Sequence, residues 1–76
     1  MNINQSEVLQ IIATALECEP ASLNLDSALG QHYNWDSFGH LSIMVALENK
    51  YNIEITEENI VKLQSVNDIL NFISSQ

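Results

Sequence analysis

The sequence predicts an all-α fold: a small four-helix bundle with a long loop between helices 1 and 2 and a short third helix. Three observations predict it. Apolar residues recur at helical spacing in four segments. Each segment follows a residue of N-cap type, namely Asn4, Asp36, Thr56 or Ser65. Glycine and proline are scarce, at two and one residues, and strand-like alternation is weak. With 76 residues and no internal repeat or linker, residues 1–76 read as a single domain.

The first helix is expected from about Gln5 to Glu17. Asn4 caps it, Glu7 suits a capping-box-like pair, and Ile3 and Val8 are spaced as a hydrophobic staple. Val8, Ile11, Ile12, Ala15 and Leu16 share one side, with Ser6, Gln10, Thr14 and Glu17 opposite. Glu19 to Asn34 read as loop, because Pro20, Gly30 and the Ser/Asn/Asp content interrupt any helix; Leu23, Leu25 and Leu29 are its expected core anchors. So long a loop in so small a domain is often functional. The second helix begins with Asp36 as N-cap and runs to about Tyr51. "ITEENIVKL" predicts a short third helix, with Thr56 as cap, Glu57 and Glu58 at the positive end of the dipole, and Ile55 stapled onto Ile60. "SVNDILNFIS" predicts the last helix, capped by Ser65 with Asp68 three residues on and burying Val66, Ile69, Leu70 and Ile73.

The second helix differs from the others. At about 100° per residue its apolar positions fall into two stripes. Ile43, Met44, Leu47 and Tyr51 form one; Phe38, Leu41 and Val45 form the other. Ser37 and Glu48 separate them along one edge, and Ser42 and Asn49 lie on the far side with Gly39, Ala46 and Lys50. Either neighbours surround this helix, or one stripe stays exposed for a partner. Periodicity alone leaves both readings open.

Charge narrows the function. Ten acidic residues oppose two lysines, for a formal net charge of −8. Such a surface repels phosphate backbones and anionic lipid, so neither nucleic acid nor a membrane surface is an expected partner, whereas a basic protein patch is. No secretory leader or transmembrane run is predicted, and Cys18 stands alone as a small hydrophobe near a helix end. A reducing cytoplasm fits this pattern.

"NWDSFGHL", Asn34 to Leu41, concentrates the candidate chemistry. Ser37 has three readings. It can be a first-turn serine with no special role. It can belong to a catalytic set with Asp36 and His40, but Asp36 at the cap is poorly placed to orient the imidazole and no oxyanion hole is identifiable, so no catalytic residue is assigned. It can be the attachment point of a phosphate-linked group, since a helix N-terminus offers free N–H groups and a positive dipole end. His32 and His40 lack further ligands in any metal-binding pattern and are expected to be solvated.

"DSFGHLSIMVALENKYNIEI" resembles the signature of acyl carrier proteins, in which Asp-Ser-Leu precedes an apolar helix; Phe38 takes the Leu position. The resemblance continues through "TEENIVKLQSVNDILNFI" and, more weakly, through the first helix. It implies that Ser37 carries a 4'-phosphopantetheine arm, transferred from coenzyme A by a magnesium-dependent phosphopantetheinyl transferase. The arm's thiol would hold an acyl group as a thioester, and the carrier, itself no enzyme, would deliver it to acyl-loading, acyl-transfer or synthase enzymes. A monomer is expected. Positions matching Ile43, Leu47 and Tyr51 are implied to pack inward, and those matching Phe38, Leu41 and Val45 to face partners. Fatty-acid-synthesis carriers usually have an acid two places after the serine and more acids along the helix; Gly39, Ser42, Asn49 and Lys50 stand in such places here, while Asp36, Glu48 and Glu57 remain. Recognition is then expected to rest more on Phe38, Leu41 and Val45 and less on charge. "WDSFGHL" is also similar to carriers dedicated to surface-polysaccharide or secondary-metabolite pathways. The alternatives are a stand-alone aminoacyl or peptidyl carrier and, more distantly, an interaction module without a prosthetic group.

Overall fold

The computed structural model describes residues 4–76. It contains four α-helices: α1 (Gln5–Leu16), α2 (Ser37–Tyr51), α3 (Glu57–Lys62) and α4 (Val66–Ser74). The expected all-α fold with a long first loop and a short third helix is what forms, with one 3-10 turn, Pro20–Ser22, inside that loop.

Local chemistry sets each start. Asn4 Oδ1 accepts from Glu7 N–H at 3.3 Å, and Asp36 Oδ1 accepts from Gly39 N–H at 2.8 Å. Thr56 and Asn59 close a reciprocal capping box. Ser65 Oγ accepts from Asp68 N–H at 3.0 Å. Each bond satisfies a first-turn donor that the helix itself cannot. The staple partner Ile3 lies outside the described residues. α1 ends one residue earlier than expected, with Glu17 in the left-handed region at φ 56° and Cys18 N–H bonded back to Ala13 O at 2.9 Å.

The core joins α1, α2 and α4, with the half-buried Ile60 of α3 packed against it. Val8, Ile12, Ala13 and Leu16 meet Ile43, Met44 and Leu47, with Val66, Ile69 and Ile73 from α4. Ile11 and Ala15 are only half-buried, and Ala13 is buried beside them: the buried arc of α1 is turned slightly from the expected one. α3 has no buried residue of its own and is held through the buried residues that flank it, Ile55 and Leu63.

The long loop is stitched to the start of α4. Leu29 N–H donates to Gln64 O at 2.8 Å, and Val66 N–H donates to Ser27 O at 3.0 Å. Leu23 is buried and Leu29 packs against the core, as expected. Leu25 does not: it is 40% exposed. Its backbone carbonyl accepts from Asn67 N–H at 3.2 Å, so this residue anchors the loop through its main chain while its side chain faces out. Trp35, 1% exposed, is the loop's large core residue.

Candidate functional site

The site is built where the loop runs into α2. Gly30, at φ +83°, turns the chain, and its N–H donates to Trp35 O at 2.9 Å. Asn34 Nδ2 donates to Leu16 O at 3.0 Å, satisfying a carbonyl at the end of α1. The chain is therefore fixed on both sides of Trp35 before α2 begins.

Asp36 is extended, at φ −101° and ψ −171°, and its carboxylate caps the helix. Ser37, the first residue of α2, is exposed, and its hydroxyl has no hydrogen-bond partner among the described residues. Gly39 N–H is taken by Asp36, whereas the N–H groups of Ser37 and Phe38 have no acceptor among the described residues. A free hydroxyl thus stands beside two free donors at the positive end of a 15-residue helix. That arrangement suits a phosphate ester on the serine and gives the present fold nothing.

The two stripes of α2 are resolved. Ile43, Met44 and Leu47 are buried and Tyr51 is half-buried. Phe38 is 81% exposed, Leu41 52% and Val45 55%. Burying a side chain of this size is worth about 1.5–3 kcal/mol, so the outer stripe forgoes stabilisation of that order at Phe38.

Gly39 and His40 are buried, contrary to both expectations for them. A Cβ on Gly39 would lie 2.7 Å from Leu16 Cδ2 and 2.8 Å from Asn34 O. The glycine therefore lets the start of α2 close onto the end of α1, and the position is not part of an outward charged face. His40 is not solvated. It is 4% exposed; its Nδ1 accepts from Trp35 Nε1–H at 3.0 Å, and its Nε2 lies 2.7 Å from Ile60 O. A carbonyl can only accept, so Nε2 carries the proton and both ring nitrogens are engaged. His40 has no free lone pair for a base acting on Ser37. Its role is to tie the loop, α2 and α3 together. His32 is half-buried and bonded in the same sense, accepting from Asn34 N–H at 3.1 Å and meeting Ser22 Oγ at 3.0 Å.

Two acidic candidates differ in kind. Glu48 Oε2 accepts from Ile55 N–H at 3.0 Å, which fixes the connection from α2 to α3. Glu57 is exposed in the first turn of α3 and makes no ion pair among the described residues. Its neighbour Glu58 meets Lys62 at 2.6 Å, and that hydrogen bond holds the Glu58 carboxyl below its ordinary range. Val61 on α3, 67% exposed, is an outward apolar residue that sequence reasoning missed; a six-residue helix carries too little periodicity to place it.

Comparison with known proteins agrees with this geometry. The family model described as the phosphopantetheine attachment site matches residues 6–73. The chain is 32% identical to an acyl carrier protein of Thermosynechococcus vestitus, over 97% of this chain and 96% of the relative. It is 32% identical to one of Tropheryma whipplei, over 96% and 94%. A Campylobacter concisus acyl carrier protein is 28% identical over 88% of this chain and 87% of its own length. A match over nearly the whole chain, to a family whose defining feature is an attached phosphopantetheine, places this four-helix protein among the acyl carrier proteins.

Proposed function

We propose that Ser37 is the residue that carries the 4'-phosphopantetheine arm, and that the chain ferries acyl groups as thioesters between enzymes of a dedicated lipid, surface-polysaccharide or secondary-metabolite pathway. One observation carries the assignment. Ser37 is an exposed hydroxyl without a partner, in the first turn of a capped helix, beside two unsatisfied N–H groups.

The residues present fit the group. In the transfer from coenzyme A, Ser37 Oγ gives up its proton and forms the O–P bond as the nucleotide half leaves. The free N–H groups of Ser37 and Phe38 and the helix dipole offset the charge of the resulting phosphodiester. Asp36 holds that first turn through Gly39 N–H and so sets where the hydroxyl points. When bound, the arm supplies a terminal thiol for thioester chemistry. The chain itself contributes placement, not catalysis: both ring nitrogens of His40 are engaged, by Trp35 and Ile60, and the Asp36 carboxylate is engaged by Gly39 N–H.

The same reading assigns partner recognition to Asp36, Phe38, Leu41, Val45, Glu48 and Glu57. The exposed apolar stripe would supply contact area, and the acids would favour the basic surfaces of a phosphopantetheinyl transferase and of acyl-loading or synthase enzymes. No helix among the described residues is long and apolar enough to cross a membrane. A monomer acting in the cytoplasm, where coenzyme A is drawn upon, completes the proposal.

Incubation with coenzyme A, magnesium and a broad-specificity transferase should raise the intact mass by one phosphopantetheine. Ser37→Ala should show no gain. Modification of the Ser37→Ala protein, or none of the wild type with several transferases, rejects the assignment. Loading the product with fatty acids against amino acids separates an acyl carrier from an aminoacyl one.

A further inference from the structure

Trp35 and His40 form a side-chain clasp around the start of α2. Trp35, the single tryptophan of the chain, is 1% exposed and His40 is 4% exposed. The indole Nε1–H donates to His40 Nδ1 at 3.0 Å, and the two aromatic rings lie 6.1 Å apart between centroids at 27°. Asp36, Ser37, Phe38 and Gly39 are the residues the clasp spans. It is pinned at three further points. Trp35 O accepts from Gly30 N–H at 2.9 Å, Asp36 O accepts from His40 N–H at 2.8 Å, and His40 Nε2–H donates to Ile60 O at 2.7 Å. Ser37, exposed and with an unpartnered hydroxyl, is thus held in place by side chains that make no hydrogen bond to it.

The clasp requires a neutral imidazole. Indole is a donor only, so Nδ1 must offer its lone pair; Ile60 O is an acceptor, so Nε2 must keep its hydrogen. One tautomer meets both demands. A proton taken from solvent onto Nδ1 sets two N–H groups face to face. The Trp35 bond then breaks, the Ile60 bond survives, and a buried indole N–H is left without an acceptor. No charged group among the described residues is bonded to the imidazole to offset this. On α2, Asp36 caps Gly39 N–H and Glu48 accepts from Ile55 N–H. On α3, Glu57 is exposed and Glu58 is paired with Lys62. Glu17, past the end of α1, is exposed, and His32 in the loop is engaged by Ser22 and Asn34. Stability alone does not call for such a pair, because two apolar side chains of the same shape fill the space without a proton requirement.

We infer that neutral His40 is a positioning residue for the modification of Ser37, acting through Trp35, and that protonation of His40 releases that hold. The inference rests on the Ser37 assignment. With the clasp closed, the turn that bears Ser37 is fixed by the Asp36 cap on one side and by the Trp35 indole on the other, so the hydroxyl is presented in one place. With it open, the cap and the main-chain bonds remain, Ser37 stays exposed, and its hydroxyl samples more positions. The bond to Ile60 is a separate arm: it orients the imidazole and links it to α3, but it does not span Ser37.

The test follows phosphopantetheine transfer from coenzyme A, with magnesium and a transferase, by intact mass for wild type, His40→Gln and His40→Asn. Circular dichroism first checks that each is folded. Gln places its amide near Nε2 and keeps the Ile60 bond without the Trp35 one; Asn places its oxygen near Nδ1 and does the reverse. At about pH 8, where histidine is neutral, His40→Gln should lower kcat by about tenfold with KM near wild type, inside the roughly 10²-fold that misplacing a reacting group costs. His40→Asn should rescue most of that loss. Towards about pH 5.5 the wild-type rate should fall relative to that of His40→Asn, whose acceptor takes no proton. The ratio of the two cancels the transferase's own response to pH. In labelled wild type, the Trp35 indole N–H resonance should move upfield as His40 Nδ1 gains its proton, and this measurement decides if the variants do not fold. Full rate in His40→Gln, no rescue by His40→Asn, a ratio constant with pH, or an indole resonance indifferent to His40 protonation each overturns the inference. A missing mass gain in the wild type instead rejects the Ser37 assignment, and this inference with it.

Discussion

The two long sides of α2 are alike in composition and opposite in fate. Ile43, Met44 and Leu47 face inward and are almost fully buried. Phe38, Leu41 and Val45, equally apolar and on the same helix, are more than half exposed. Folding explains the first set, because burying each such side chain contributes about 1.5–3 kcal/mol. It does not explain the second, which the chain carries without that return. The difference separates residues that hold the helix in place from residues that await something on it, and Ser37 stands at the end of the helix where both begin.

Substitutions can break this comparison, and the largest effect belongs on the inner side. Leu47→Ala should lower unfolding free energy in urea by about 2–5 kcal/mol, the range for a buried leucine truncated to alanine. Gly39→Asp comes next. It adds an acid near the start of α2, yet its Cβ would meet Leu16 and the main chain of Asn34 at under 3 Å. Overpacking of this kind costs about 1–3 kcal/mol, and the same urea titration should show it. An unchanged midpoint would mean that the ends of α1 and α2 separate easily.

Asp36→Ala removes an N-cap bond of 2.8 Å and should cost about 1 kcal/mol. It should also slow phosphopantetheine transfer, because the first turn that presents Ser37 loses its constraint. Tyr51 gives the smallest change and the opposite sign. Its hydroxyl is buried without a hydrogen-bond partner among the described residues, and burial, with the Glu7 carboxylate second, pushes its pKa above the ordinary 10.0. A pKa raised in the folded state contributes stability that is complete below the unfolded value and lost as pH rises through the folded one. Stability should therefore fall above about pH 10. Tyr51→Phe should flatten that fall and leave neutral-pH stability unchanged or higher by up to ~1 kcal/mol. Thermal melts across the alkaline range check both.

The parts of this molecule legible in the sequence are the local ones. Asn4, Asp36, Thr56 and Ser65 were identifiable as caps because a cap bonds within three residues of itself, so spacing reveals it. The inner stripe of α2 follows from helical period; the outer stripe shows as a stripe by period, and its exposure is legible only through the resemblance. Periodicity states which residues share a side; it does not count the neighbours available to cover it. The roles of Trp35, His40 and Gly39 are not legible in the sequence for a related reason. Their roles depend on Ile60, Leu16 and Asn34, contacts set by tertiary packing. A histidine on a helix looks like a solvated residue until a loop tryptophan and a carbonyl 20 residues away are found to use both its nitrogens. Leu25 misled in the other direction, since its main chain anchors the loop and frees its side chain.

The rate of phosphopantetheine transfer to Ser37 tests the division of α2 most directly, measured for Phe38→Ala beside Leu47→Ala at a temperature where both are folded. Phe38→Ala should stay within about 0.5 kcal/mol of wild-type stability, as an exposed substitution does, and yet be modified more slowly. Leu47→Ala, destabilised but outwardly unchanged, should be modified at close to the wild-type rate. A slow Leu47→Ala and an unaffected Phe38→Ala would contradict the account.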